Sequence, residues 1–112
     1  MSFMFYDAID FNQLINNWDV SNVTDMSRMF EWSEFNQPLD KWNVSNVENM
    51  GWMFHKAKKF NQSLNNWDTS QVTVMERMFD GADYNNFDIK LNAKWWRYIY
   101  FPWDDYDDDD YI

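Results

Sequence analysis

The chain has no cysteine, which excludes disulfides and thiolate metal sites and leaves the redox compartment open. No apolar run approaches the ~20 residues of a membrane span, so membrane insertion is not expected. The opening residues, MSFMFYDAIDF, lack the basic flank and apolar core of a secretory signal, which favours a cytoplasmic or particle-associated placement over secretion. A basic footprint is missing as well, so nucleic acid is not an expected partner. Histidine occurs once, at His55, and one imidazole cannot make a metal site by itself. With no base placed beside a recurrent Ser or Thr, no nucleophilic constellation forms; neither an enzyme nor a cofactor is expected.

Large side chains are abundant. Phe, Tyr and Trp make up 21% of the 112 residues and Met adds eight, so a single domain of this length can fill its core with aromatic and thioether packing. The net charge of −10 is uneven, because residues 104–112 carry six Asp and no base. That field favours basic partners.

Nearly the same string occurs three times. Repeats run over 11–34, 35–59 and 60–83, preceded by a half repeat at 1–10 and followed by a partial repeat and aromatic cap at 84–103; together they make one repeat domain, 1–103, before the acidic tail. A period of 24–25 residues indicates stacked repeats. Val47, Met50, Met53, Phe54 and Ala57 recur at steps of three and four, which predicts an amphipathic helix, with Ser45 as N-cap and Glu48 closing a capping box. Ser21 and Ser70 match Ser45 and are read as caps too. Gln37 to Val44, with Leu39, Trp42 and Val44 facing inward, predicts a short strand that Pro38 keeps brief or irregular. The expected fold is therefore α/β: a solenoid with one short parallel strand and one helix per repeat. Asn12, Asn36, Asn61 and Asn85 are expected to stack in register, their amides serving backbone groups of neighbouring repeats.

The shared pattern, F-N-Q-x-L-x-x-W-x-V-S-N-V-x-x-M-x-x-M-F, resembles the BspA-like, DUF285-type repeat family, a divergent relative of leucine-rich repeats. The resemblance covers residues 1 to about 87. It implies a leucine-rich-repeat-like solenoid and a role in adhesion or protein binding, and it carries no catalytic residues to transfer.

Several side chains remain as interaction candidates. Phe3, Arg28, Trp52 and Arg77 share one repeat position and form an alternating aromatic and Arg row, with Trp32 nearby. Two readings stay open for the row: guanidinium stacked on ring between repeats, or an interaction surface built of hot-spot residue types. His55, beside three lysines, reads as a surface residue near a helix end. Phe3, Phe5 and Ile9 have no preceding repeat to cover them, which suggests self-association or assembly through that end. In the tail, Tyr106, Asp107, Asp108, Asp109, Asp110 and Tyr111 form a solvated run or a docking peptide; without a glycine for the turn they do not make a cation site. Asn22-Val23-Thr24, Asn43-Val44-Ser45 and Asn61-Gln62-Ser63 fit the glycosylation pattern, but they fall on repeat positions and read as structural.

The expected function is a non-catalytic protein-protein interaction module of the repeat-solenoid type, with the acidic tail as a second contact. The alternative is a structural assembly subunit, such as a minor component of a virion or other large particle, docking through the open N-terminal end.

Overall fold

The computed structural model describes residues 1–82, Phe3 and Ile9 excepted. The partial repeat and cap at 84–103, Asn85 and the acidic tail lie outside the described residues. Within them the repeats lie side by side in register. Parallel bridges pair Asp25 with Asn49 and Asn49 with Val74, offsets equal to the spacing of the sequence repeat.

Each repeat has two halves. In the Met-Phe half, turns overlap: Met29, Glu31 and Ser33 donate to the carbonyls of Met26, Arg28 and Phe30. The alternate residues Met26, Arg28, Phe30 and Trp32 donate instead to Asn49, Gly51, Met53 and His55 of the next repeat. The following copy does the same, with Met50, Trp52, Phe54 and Lys56 donating to Val74, Glu76, Met78 and Asp80. Two amides left over, those of Ser27 and Gly51, donate to the side chains of Asp25 and Asn49. Every backbone N–H from Asn49 to Ala57 thus has a partner, as buried backbone requires.

This arrangement overturns the α/β expectation. Among the described residues there is no helix, and the only sheet-like pairing is the two bridges. The leucine-rich-repeat-like α/β solenoid, with a strand and a helix in each repeat, is not what these residues form. The physical reason lies in the backbone. Arg28, Trp32, Trp52, Lys56 and Arg77 have φ between +56° and +64°, a left-handed conformation that no α-helix contains. Half of the amides that would bond four residues back bond to a neighbouring repeat instead. The three-residue apolar step reflects turns closing from i to i+3, not helical winding. Each left-handed non-glycine residue costs about 1–2 kcal/mol, and the inter-repeat bonds offset that strain.

The capping serines have another task. Ser45 donates its amide and hydroxyl to the Asn43 side chain at 3.1 and 2.7 Å, and Ser21 does the same to Asp19 at 3.0 and 2.6 Å. These are side-chain-closed turns of the Asx kind. Glu48 closes no capping box; its amide, with that of Asn49, bonds to the Thr24 carbonyl of the previous repeat.

In the Asn-Trp half, side chains link the repeats. Asn36 and Asn61 donate their amides to the side chains of Asn12 and Asn36 at 2.8 and 3.0 Å, forming the asparagine ladder expected from the sequence over its described members. The indoles of Trp42 and Trp67 donate to the carbonyls of Ile15 and Leu39, both at 2.9 Å. Asn46 donates to the Ser21 carbonyl, and Lys41 donates its amide to Asn16.

The core between the halves is a phenylalanine stack. Phe5, Phe30, Phe54 and Phe79 lie ring over ring with centroids 5.4–5.5 Å apart, and Phe11, Phe35 and Phe60 run beside them. Met26, Met29, Met50, Met53, Met75 and Met78 are fully buried around the stack. Ring distances in this range add to the stabilisation from burial alone.

Candidate functional site

The interaction candidates fall in different places. Arg28, Trp52 and Arg77 occupy one column on successive repeats, as the backbone ladder requires. The Arg28 guanidinium lies 4.5 Å from the Trp52 ring centroid, a cation-π contact, and its Nη1 reaches both Glu31 oxygens at 2.9 and 3.0 Å. Arg77 is buried and paired with Asp80 at 3.2 Å. Phe5 is not bare: it stacks on Phe11 at 4.0 Å and packs against the core. Phe3, Tyr106, Asp107, Asp108, Asp109, Asp110 and Tyr111 lie outside the described residues.

Trp32 belongs to a second column with Asp7, Lys56 and Gly81, all at positive φ. Its side chain is 42% exposed, the Lys56 ammonium lies 5.7 Å from its ring centroid, and His55 meets it edge-on. Gly81, at φ +78°, suits the backbone of this column without strain. It is also needed for space, because a Cβ there would come within 2.6 Å of the Lys56 side chain. The lysine stem therefore runs over Gly81. Trp32, Lys56 and the Arg28-Trp52 pair make a ridge of aromatic and cationic groups along the repeats.

Beneath the ridge is a charge cluster the sequence reading missed. His55 is 2% exposed, not a surface residue, and its Nδ1 lies 2.6 Å from Glu31 Oε2; Glu31 is equally buried. Arg28 and His55 thus share one buried carboxylate. A signal was present: Tyr6, Glu31, His55 and Asp80 occupy equivalent positions, so in-register repeats bring Glu31 beside His55. The helix reading hid it by turning His55 outward.

The exposed carboxylates behave more simply. Asp19 and Asp68 are held below the usual carboxylate range by hydrogen bonds, first from the hydroxyls and then from the amides of Ser21 and Ser70. Among the described residues no group of His, Asp and Glu side chains is arranged to hold a metal ion, and no helix is long and apolar enough to cross a membrane.

Stacked turns, a phenylalanine interior and a side-chain ladder on the opposite half define a class of repeat protein whose copies cannot close their backbone bonds alone. Residues 1–95 match the family described as "Mycoplasma protein of unknown function, DUF285", and the chain belongs to that family. No curated protein matches the chain, and no solved structure matches it either.

Proposed function

We propose that this chain is a non-catalytic protein-interaction module of the repeat-solenoid type that meets its partner through the ridge around Trp32, with the acidic residues 104–112 as a second contact. One observation carries the reading. A bulky aromatic residue at φ +64° is strained, yet Trp32 keeps 42% of its surface exposed and stays outside the core. Glycine serves the same column at Gly81, so a tryptophan here is not required by the backbone. Trp and Arg are the residue types most enriched at binding hot spots. The test is Trp32→Gly. The variant should fold with at least the parent's thermal stability while losing the proteins that the parent captures from its source cells; capture of the same set by both would overturn the reading.

A second reading is assembly through the face of the first repeat. Trp18 is 43% exposed, whereas its equivalents Trp42 and Trp67, each roofed by an earlier repeat, are 2% and 1% exposed. Leu14 of the same repeat is also exposed, as are Met4 and Tyr6 of the half repeat before it. Light scattering at tens of micromolar should then report an oligomer that Leu14→Asp dissolves. A monomer throughout would sink it.

A further inference from the structure

We propose that the ridge takes an acidic peptide segment with an aromatic side chain interleaved among its carboxylates, an inference that rests on the module reading above. Residues 1–82 carry eleven acidic side chains against six basic ones, yet half of those bases, Lys56, Lys58 and Lys59, fall within four residues, the first of them over the Trp32 ring. Acids are spread over the repeats, whereas three of the six bases are gathered at one place.

The rest of the surroundings sharpen that asymmetry. Arg28 and Arg77 are matched by Glu31 and Asp80, so their charge is met internally. Lys58 and Lys59 are exposed and take part in no ion pair among the described residues. Of the acidic neighbours, Asp7 precedes Trp32 in its column and Glu34 stands at the repeat position of Lys58, so a single exposed carboxylate of the preceding repeat lies in register with the lysines. The cationic end of the ridge therefore begins at Lys56, whose ammonium sits over the indole that a partner would meet first.

Geometry fits this chemistry in two ways. The indole face offers stacking area to an aromatic ring at little cost in side-chain entropy. The ammonium groups of Lys58 and Lys59 meet carboxylates as point charges, an attraction that salt screens because both are exposed. An acidic run with no aromatic residue satisfies only half of the site, and an uncharged aromatic segment satisfies only the other half.

The probe is a fluorescently labelled nonapeptide, DDYDDDDYI, followed by anisotropy at low ionic strength. Two control peptides are NNYNNNNYI and DDADDDDAI. The proteins are the full chain and a full chain with Asp104, Asp105, Asp107, Asp108, Asp109 and Asp110 changed to Asn, which removes competition from its own acidic run. Saturable binding of DDYDDDDYI is expected, at least tenfold tighter than either control and weakened by added salt. Trp32→Gly and the pair Lys58→Gln with Lys59→Gln should each weaken it at least tenfold, with thermal unfolding of both variants checked by circular dichroism. Binding by the Asn-substituted chain alone also supports the proposal, since it means the chain's own acidic residues compete. No saturable binding to either chain, or equal binding by Trp32→Gly, would overturn it. Loss of partner capture in Trp32→Gly without peptide binding overturns the acidic-partner inference and leaves the module reading standing, whereas unchanged capture overturns the module reading itself.

Discussion

The two halves of each repeat solve one problem by different means. In the Met-Phe half the links are chiefly backbone amides bonded to backbone carbonyls of the next repeat, with the buried Glu31-His55 pair as a side-chain link beside them. In the Asn-Trp half the links run through side chains: Asn12, Asn16, Asn36 and Asn46, and the indoles of Trp42 and Trp67. A backbone ladder is indifferent to which side chain it carries. A side-chain ladder is not, so the Asn-Trp half tolerates little change at its linking positions while the Met-Phe half can vary its outward residues. That difference explains why Arg28, Trp52 and Arg77 can alternate in type along one column.

The comparison can be broken at its heaviest point. Trp42→Ala removes a buried ring and the bond to the Ile15 carbonyl together, and should cost about 3–5 kcal/mol in denaturant unfolding. Trp42→Phe keeps much of the packing and should cost less, the difference reporting the indole bond; equal costs would mean the ladder contributes nothing there.

Glu31→Ala tests the other half at its side-chain link between repeats, the Glu31-His55 pair. It leaves Arg28 and His55 facing a buried space without their shared carboxylate, and roughly 3 kcal/mol should be lost. A loss that small variants such as Glu31→Gln fully restore would assign the effect to shape and not to charge.

The contrast sharpens in a matched pair of conservative size. Asn36→Ala deletes the acceptor for the Asn61 amide and should cost about 1–2 kcal/mol. Met53→Leu, equally central but held only by packing, should cost less than about 1.5 kcal/mol, because its amide still bonds to Met50 whatever the side chain. The reverse order would refute the division of labour between the halves.

The smallest effect concerns Asp68. Ser70→Ala should raise its pKa toward the ordinary carboxylate value, read by NMR titration, since the hydroxyl is the first cause of the depression. A depressed folded-state pKa contributes stability above the unfolded-state value, lost as pH falls through the folded one. Ser70→Ala should therefore flatten, slightly, the acid side of the stability profile.

Much of this was readable in the residues. Leu39, Trp42, Val44, Val47, Met50, Met53 and Phe54 face inward as their spacing indicates, and all are buried. The asparagine ladder was readable from Asn12, Asn36 and Asn61 recurring at one position. The helix was not there to be read. Val47, Met50, Met53 and Phe54 share their three- and four-residue steps with a helix because turns closing at i+3 and helical turns of 3.6 residues coincide over so short a span. Ser45 followed by Glu48 completed the misreading, since the residues that cap a helix also close an Asx turn.

By itself, then, the sequence determined the repeat, its 24–25-residue register and which side chains fill the core, because these follow from recurrence and hydrophobic spacing alone. Only the tertiary structure decided the path of the backbone and the place of Glu31 beside His55. Half of the amides in the Met-Phe segment have no partner until a second repeat lies against the first, and that bond, absent from any single repeat, selects left-handed turns over a helix.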